Sequence, residues 1–438
     1  MPGPLDGIRV LDLTAIVSGP LATMMLAEQG ADVIKVEPPT VGDLTRPMGT
    51  QRGGVSAIFA AANRSKRCIV LDLSQPPGLE AFRDLVPTAD VLVQNFRPGA
   101  AERMGIGYAA MAALNPDLVY CSIAGFGRSG PHAGRRVYDP LIQAASGMAW
   151  AQGQSPQRRM QAASEAEAGG DAPLDRPGEA APDLVRSIVC DKVTALTAAQ
   201  AITAALFARE RGAGGQHVEL SMLDAAIAFH WCDMMWNHSF LPPRGLADRD
   251  EDPGLTRTPD LADMFRISRA SDGYVLVVSG SDVEFRGVCN AFGRPELADD
   301  PRFATLLGRM QAIDEIRDWE EREIARRSAD EVCALLDEHG VPCAKVNRLA
   351  ELAGDDQARH NETIERVEHP RGGAMLRARP PARFEKTPSG IRCHAADHGE
   401  HTEEVLAEAG FDAERIAALR AAGVLGPTGA AATPGADG

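Results

Sequence analysis

The chain has 438 residues, enough for two or three domains, and its hydrophobic fraction of 44% supports a sizeable folded core. The formal net charge of −16 argues against nucleic acid or an anionic membrane as a partner of the whole surface. The eight cysteines are scattered singly, which is typical of reduced thiols in a cytosol. With no signal segment and no apolar run of the roughly 18–20 residues that span a bilayer, we expect a cytoplasmic protein.

Short apolar strands alternate with helices from the start of the chain. Residues 8–13 predict a strand, and the helix that follows has Pro20 near its start and Gly30 just past its end. Further predicted strands are 32–36, 69–73, 91–93 and 118–123, and further predicted helices are 78–86 and 108–114. This alternation indicates an α/β fold with a mostly parallel sheet covered on both faces.

The composition changes between residues 152 and 183, where Ala, Gly, Pro, Glu and Gln predominate. Few large apolar side chains occur there, so we predict a long mobile surface loop. A strong helix is predicted at 192–211, followed by a strand at 218–220 and a helix at 223–236. A second region begins with a strand at 274–278 and continues with helices at 283–291, 313–327 and 329–339.

A loop with two glycines follows the strand predicted at 118–123. Gly125, Phe126 and Gly127 are candidates for backbone N–H donors to a phosphate or a developing oxyanion, because glycine permits close approach. The alternative is an ordinary tight turn after a strand. The loop is not a P-loop, since the Lys-Ser/Thr ending is absent.

Basic side chains gather in the first third of this acidic chain. They are Arg64, Lys66, Arg67, Arg97, Arg103, Arg135 and Arg136. Such a cluster is consistent with a site for a polyanionic ligand and equally with ordinary solvated surface charge.

Asp191 lies at the foot of a predicted helix, in Val189-Cys190-Asp191-Lys192-Val193. A carboxylate with an unperturbed pKa of roughly 3.9 is ionised at neutral pH and needs no general base to attack an activated acyl group. The alternative role is that of a helix N-cap. The two roles share one location, because a helix N-terminus also stabilises anions such as a departing thiolate.

The ten histidines show no metal-ligand spacing, so we predict no metal. His398 and His401 flank a polar dipeptide and are weak evidence for a site. His230 and His238 accompany Met and Trp residues that would line either an acyl pocket or a buried helix face.

Several short motifs occur in a specific order. They are residues 5–14, Ser18-Gly19-Pro20, residues 30–37, Gly42-Asp43, residues 63–67, residues 95–99, Gly125-Phe126-Gly127 and residues 399–406. In this order and spacing the chain resembles the class III coenzyme A transferases over nearly its whole length. That family includes formyl-CoA transferase, carnitine CoA-transferase and the α-methylacyl-CoA racemases.

The resemblance implies the site residues. Its acyl-accepting aspartate corresponds to Asp191, which would carry an aspartyl-CoA thioester. The coenzyme A contacts would fall on Ile16, Val17, Leu71, Asp72, Leu73, Ser74, Asn95, Phe96, Arg97, Arg103, Arg136, Val137, Tyr138 and Asp139. Coenzyme A and its acyl thioesters would be substrates together with a free carboxylic acid, and no tightly bound cofactor is implied.

The resemblance also implies a Rossmann-like large domain formed by both chain ends, a smaller α+β domain, and two open rings interlocked as a homodimer. The expected boundaries are a large domain at 1–225, a linker at 226–260, a small domain at 261–345, a return to the large domain at 346–425 and a disordered tail at 426–438.

Two departures from relatives bear on function. The glycine-rich lid loop of formyl-CoA transferase has no clear counterpart in residues 242–261. The racemases resemble the transferases but use a His-Asp pair, where this chain has Tyr138-Asp139. A tyrosine with an unperturbed pKa of about 10 is a poor base at neutral pH, which favours transfer. A racemase with another base and a non-catalytic CoA-binding assembly protein stay as alternatives.

Overall fold

The computed structural model describes residues 2–155, 180–242 and 265–426, together with residues 158, 159, 164, 252, 254 and 255. Their contacts divide the chain into two units. Among the described residues, the first unit comprises mainly 2–154, 180–231 and 360–426, and the second comprises mainly 232–242 and 265–359. The second unit is therefore inserted, in sequence, into the first.

A six-stranded parallel sheet forms the centre of the first unit. Its strands are β1 (Arg9–Asp12), β2 (Asp32–Glu37), β3 (Arg67–Val70), β4 (Val91–Gln94), β5 (Val119–Ala124) and β6 (Gln216–Ser221). Their spatial order is β3-β2-β1-β4-β5-β6, and Val10 of β1 pairs with Val33 on one side and Val91 on the other. This is the strand order of the doubly wound dinucleotide-binding fold. Strands are added to one side of β1 up to β3 and to its other side from β4 onward, so the order reverses between β1 and β4.

Helices account for most of the other regular structure in both units. Those up to residue 234 are α1 (Ser18–Glu28), α2 (Ala57–Asn63), α3 (Pro76–Leu85), α4 (Ala100–Arg103), α5 (Tyr108–Leu114), α6 (Asp139–Ala145), α7 (Met148–Gly153), α8 (Val189–Ala208) and α9 (Met222–Met234). Those that follow are α10 (Asp282–Ala291), α11 (Pro295–Ala298), α12 (Leu306–Gln311), α13 (Ile313–Ile324), α14 (Ala329–Glu338), α15 (Asp356–His360), α16 (Thr402–Glu408) and α17 (Ala413–Ala421). Short 3₁₀ segments occupy Val86–Thr88, Trp236–His238 and Leu349–Gly354, and a π turn at Arg209–Ala213 follows α8.

Both faces of the sheet are covered because successive side chains of each strand point to opposite faces. On one face, Val10 and its neighbours on the other strands pack against the buried sides of α1 and α8. On the other face, Leu11 packs in a cluster with α3, α5 and the C-terminal helices α16 and α17. The predicted parallel α/β fold is thereby confirmed.

The remaining strands are short. In the first unit, Gln51–Arg52 pairs with Val55–Ser56, and the hairpin of β10 (Ile364–His369) and β11 (Gly373–Ala378) follows the second unit. The second unit has a three-stranded antiparallel sheet of β7 (Ile267–Arg269), β8 (Tyr274–Val277) and β9 (Cys343–Lys345), with β8 in the middle. Capping boxes at Ser281 and Ser328 start α10 and α14, whose apolar sides form the core of this unit.

Several boundaries differ from those that the sequence predicts. Strand β3 ends at Val70 rather than at residue 73, because the Asp72 carboxylate accepts the Ser74 N–H and turns the chain into α3. The helix predicted at 223–236 is confirmed as α9, and it occupies residues 226–234 of the segment predicted as a linker because Ala226 and His230 bury one of its sides. The chain returns to the first unit at His360, whereas the sequence predicts a return at 346. At that predicted boundary the Val346 N–H still donates to the Tyr274 carbonyl of β8.

The predicted mobile loop at 152–183 lies largely outside the described residues, and so does the predicted tail beyond Gly426. None of the helices in the described residues combines the length and the apolar character that a bilayer span requires.

Candidate active site

Asn95 joins the two loops that leave the sheet where its strand order reverses. β1 and β4 are neighbours, and the chain leaves both at the same edge. Asn95 Nδ2 donates to the Ala15 carbonyl at 2.8 Å, and the Ala15 N–H donates to Asn95 Oδ1 at 3.0 Å. Ligands of doubly wound sheets bind in the crevice at this point. The topology therefore places the expected ligand site between the loops after β1 and β4.

A cleft of about 250 Å³ lies at this position. Its walls come from residues 15–18, 95–98, 123–125 and 135–138, together with Leu44, Ala133, Met222 and Asp191. Phe96, Val137 and Met222 give it apolar surface, while Arg97 and Arg136 give it positive charge. The cleft thus offers both an apolar wall and charged groups for an anion.

Asp191 is buried in the first turn of α8, with 9% of the residue exposed. The Ser18 hydroxyl donates a hydrogen bond to Asp191 Oδ1. Ser18 is the first residue of α1, and its backbone N–H is directed to the same carboxylate. The N-termini of two helices therefore converge on one carboxylate, which is an arrangement that stabilises negative charge.

A clamp on the other side of Asp191 fixes its backbone. The Asp191 N–H donates to Asp139 Oδ2 at 2.9 Å, and Gln143 Nε2 donates to Asp139 Oδ1 at 2.6 Å. The Gln143 side chain also holds the segment that leads into α8, accepting from the Val185 N–H at 2.9 Å and donating to the Ser187 carbonyl at 3.0 Å. Asp139 and Gln143 are both buried, so their hydrogen bonds hold the segment that leads into α8 in one conformation.

The pKa of Asp191 is raised above its ordinary value. Burial is the largest cause, because it removes water from the ionised form. The hydrogen bond from the Ser18 hydroxyl lowers the pKa, and the nearby Asp139 carboxylate raises it. The site therefore holds a desolvated carboxyl group that accepts hydrogen bonds from two donors on Ser18. A desolvated carboxylate is a stronger nucleophile than a solvated one.

A buried charge network supports the loop after β1. Lys35 Nζ donates to the Thr14 carbonyl at 2.7 Å and lies 2.9 Å from Asp43 Oδ2. Asp43 Oδ1 accepts the Ile16 N–H at 3.3 Å, and Ile16 has a φ of 73°. This left-handed conformation is unfavourable for a β-branched residue, so it persists only because the surroundings enforce it. Below the same loop, Lys66 Nζ lies 3.0 Å from Asp12 Oδ2.

The basic cluster predicted from the sequence separates into two groups. Arg64 pairs with Glu28, Lys66 with Asp12, and Arg67 with Asp32, Glu404 and Glu408, so these three cations are structural. For these three the polyanion prediction is wrong, because each cation is already paired with a carboxylate of the protein. The other four have no carboxylate partner among the residues that the structure describes; they are Arg97, Arg103, Arg135 and Arg136.

The structure brings together many of the predicted coenzyme contacts. Ile16, Val17, Asn95, Phe96, Arg97, Arg136, Val137 and Tyr138 all line the cleft. The segment from Leu71 to Ser74 follows β3 at the same edge of the sheet but does not line the cleft. Arg103, at the end of α4, does not line the cleft either. Asp139 is placed differently from the expectation, since its carboxylate is buried against Asp191 and Gln143 rather than presented to the cleft.

The glycine loop is only partly in the cleft. Gly125 lines it, and a Cβ at this position would lie 2.4 Å from Val137 Cγ1, so only glycine fits. Phe126 packs against a buried cluster beside α6, and Gly127 borders a neighbouring cavity. Ser18 and Gln143 were not among the predicted site residues, because their contacts with Asp191 and Asp139 depend on helices that are distant in the chain.

None of the ten histidines, all of which the structure describes, lines the cleft. His398 contacts the Pro38 carbonyl, His401 accepts the Cys68 N–H, and His230 is buried on α9. Within the described ranges, no group of His, Cys, Asp and Glu side chains is arranged to hold a metal ion.

Comparison with known proteins agrees with this geometry. The profile of the family described as CoA-transferase family III matches residues 5–402. The chain belongs to CoA-transferase family III. As a member of that family it is a CoA-transferase, and its parallel α/β sheet matches solved structures of the family.

Three similar proteins illustrate the family. The acetyl-CoA:oxalate CoA-transferase of Acetobacter aceti is 34% identical, with 86% of this chain and 88% of that protein covered. The succinate–glutarate CoA-transferase of Agrobacterium fabrum is 32% identical, with 92% and 95% covered. A crystal structure of a CAIB/BAIF family protein from Brucella suis has 30% identity and a TM-score of 0.73, and covers 93% of this chain and 100% of that one.

Replacing Asp191 by Asn should stabilise the folded state of this protein. Because the folded pKa lies above the ordinary value of 3.8, folding disfavours the ionised form, and this cost is complete above the folded pKa and absent below about 3.8. We expect Asp191→Asn to raise the free energy of unfolding at pH 7 by roughly 0.5–2 kcal/mol, a gain that shrinks as the pH is lowered. Chemical unfolding at a series of pH values measures this, and an equal gain at every pH would contradict it.

Removing the cation of the buried Lys35–Asp43 pair should be costly. Lys35→Met leaves Asp43 without its partner, and we expect a loss of about 3–5 kcal/mol in the free energy of unfolding. The double variant Lys35→Met/Asp43→Asn should recover part of it. The control is Arg420→Met, which breaks an exposed pair with Glu403 and should cost less than about 1 kcal/mol. Equal losses for the buried and exposed pairs would contradict a structural role for the network.

Proposed function

We propose that this enzyme transfers coenzyme A from an acyl-CoA donor to a carboxylic acid acceptor through a covalent thioester on Asp191. The observation that carries the proposal is the buried Asp191 carboxylate at the wall of the cleft, where Ser18 and the N-terminus of α1 meet it. A carboxylate nucleophile accounts for a transfer between acids, because each acyl group passes through an anhydride with the same side chain.

The first half of the reaction loads coenzyme A onto the enzyme. The Asp191 carboxylate attacks the thioester carbonyl of the donor, the C–S bond breaks, and coenzyme A leaves as a thiolate. The product is a mixed anhydride between Asp191 and the donor acyl group. The thiolate then attacks the Asp191 carbonyl carbon, the anhydride C–O bond breaks, and the donor acid leaves with one oxygen of the aspartate.

The second half passes coenzyme A to the acceptor. The acceptor carboxylate attacks the aspartyl-CoA carbonyl and expels the thiolate, which forms a second mixed anhydride. The thiolate then attacks the acceptor's carbonyl carbon, and Asp191 departs as a carboxylate that carries one oxygen from the acceptor. No proton is gained or lost overall, which is consistent with a cleft wall that lacks a histidine among its described residues.

The arginines at the cleft are suited to the phosphates of coenzyme A. Arg97 and Arg136 are exposed and line the cleft, and neither has a carboxylate partner in the described part of the chain. Guanidinium groups bind phosphate through paired hydrogen bonds. Beside them, the lack of a side chain at Gly125 lets Val137 pack directly against the backbone of the cleft wall. In a protein whose net charge is strongly negative, two exposed arginines at the cleft support a polyanionic thioester substrate.

Racemisation fits the cleft less well than transfer. It needs a base of suitable pKa within reach of the α-carbon of the acyl group. Tyr138 takes the position where the resemblance leads us to expect the racemase histidine, and it is 62% exposed. From the resemblance we also propose a homodimer, which sedimentation of the purified protein tests.

Asp191 should be trapped by hydroxylamine. We expect a hydroxamate on Asp191 after incubation with a reactive acyl-CoA, detected by peptide mass spectrometry, and none in Asp191→Asn, which should also lose transfer activity. A panel of acids that includes oxalate and glutarate, the acids named in similar transferases, then identifies the acceptor. The matched control is Asp224→Asn, which changes a carboxylate in the first turn of the neighbouring helix α9 and should keep activity. Undiminished transfer by Asp191→Asn would refute the proposal.

Neutralising the cleft arginines should weaken coenzyme binding. A hydrogen bond to a charged group contributes about 1.5–3 kcal/mol, so Arg97→Gln/Arg136→Gln should raise KM for acyl-CoA by roughly tenfold or more. Steady-state kinetics at two salt concentrations should also show a weaker salt dependence. Arg211→Gln, which changes an exposed arginine beyond α8, is the control and should leave KM unchanged. An unaltered KM in the double variant would place the phosphates elsewhere.

A further inference from the structure

The Ser18 hydroxyl is a buried group that has no assigned role in the proposed reaction. Ser18 is 4% exposed, and its hydroxyl donates to Asp191 Oδ1 although the two residues are 173 positions apart. Ser18 is also the first residue of α1, and its backbone N–H faces the same carboxylate. Val17, and not Ser18, is the N-cap residue of α1, so the Ser18 hydroxyl is not used to cap the helix. Instead it faces the reacting side chain.

We propose that Ser18 is the oxyanion donor for the Asp191 carbonyl in the steps in which that carbonyl is itself attacked. The inference rests on the proposed function, because it requires a covalent bond to Asp191. It extends that function by separating two kinds of step. In one kind Asp191 is the nucleophile, and in the other kind Asp191 is the electrophile.

The hydrogen bond decides which oxygen does what. Oδ1 accepts the hydrogen bond of the Ser18 hydroxyl, which draws electron density from it, so Oδ2 is the better nucleophile. After Oδ2 has attacked the donor, Oδ1 is the carbonyl oxygen of the anhydride. It keeps that position in the aspartyl-CoA thioester, because the departing donor acid takes Oδ2. Ser18 therefore faces the carbonyl oxygen of both covalent intermediates.

Charge develops on this oxygen twice in each turnover. When the thiolate attacks the anhydride, and again when the acceptor carboxylate attacks the thioester, the C=O bond of Asp191 opens and a negative charge forms on Oδ1. A hydrogen bond to an anion is about twice as strong as one to a neutral carbonyl. The Ser18 hydroxyl therefore stabilises the tetrahedral state more than the neutral intermediate, which is the condition for catalysis.

Attack by Asp191 on the donor has the opposite requirement. There the negative charge leaves the aspartate and appears on the oxygen of the donor carbonyl, which Ser18 does not face. Removing the Ser18 hydroxyl should consequently spare this first step. It should slow the formation of aspartyl-CoA and its reaction with the acceptor by on the order of 10²–10³-fold, the typical loss when one oxyanion donor is removed.

The test follows the coenzyme A adduct on Asp191 by intact-protein mass spectrometry. The enzyme is mixed with donor acyl-CoA, the growth of the adduct is recorded, and its decay is recorded after the acceptor acid is added. We expect Ser18→Ala to form and lose the adduct on the order of 100-fold more slowly than the native enzyme, and Ser18→Thr, which keeps a hydroxyl, to recover most of the rate. Binding of free coenzyme A should be unchanged in both variants.

A matched control separates this effect from a loss of stability. Ser56 is another buried serine, whose hydroxyl accepts the Phe59 N–H at the start of α2. Ser56→Ala should destabilise the protein by about the amount that a lost helix cap costs, without altering the adduct kinetics. If its adduct kinetics slow as much as those of Ser18→Ala, a general loss of stability explains the effect and the inference is wrong.

The remaining outcomes are distinct. Adduct turnover in Ser18→Ala at the native rate would overturn the inference and leave the proposed function intact. A Ser18→Ala protein that binds coenzyme A normally but consumes no donor would also overturn it, because Ser18 would then serve the first step. Absence of any adduct in the native enzyme, with transfer still running, would overturn the proposed function itself.

Discussion

The proposed chemistry depends on one interaction, the contact between the first turn of α1 and the first turn of α8. The first helix contributes Ser18 and the second contributes Asp191, and both pack on the same face of the parallel sheet. Burial alone would hold a carboxylate in its neutral form, whereas two helix N-termini and a hydroxyl favour the ionised one. On balance the pKa of Asp191 is raised, so these donors offset only part of the cost that burial places on the ionised form, the form that the proposed attack requires.

Much of the surrounding structure holds these two turns in their relative positions. Asp139 and Gln143 fix the chain that enters α8, and Asn95 ties the loop after β1 to the loop after β4. Below that loop, Lys35 and Asp43 form a fully buried pair. A buried ion pair contributes little net stability compared with apolar packing, so its value here is the single conformation that it imposes on the backbone at the cleft.

The fold could largely be predicted from the sequence, because the alternation of apolar strands and helices is a local property. The resemblance to the transferases contributed Asp191 and most of the cleft wall. The sequence could not distinguish Lys66 and Arg67 from Arg97 and Arg136, since a cation's role depends on whether a carboxylate such as Asp12 or Asp32 reaches it in the folded chain. The contact of Ser18 with Asp191 was hidden for the same reason.

The central claim is that the oxygen atoms of Asp191 take part in the reaction. Turnover with an acceptor acid labelled with oxygen-18 tests this directly, followed by mass analysis of the peptide that contains Asp191. The mechanism predicts that label enters this carboxylate and that, in later turnovers, it appears in the released donor acid. Transfer of coenzyme A with no label in the protein would show that the two acids exchange the thioester without passing through Asp191.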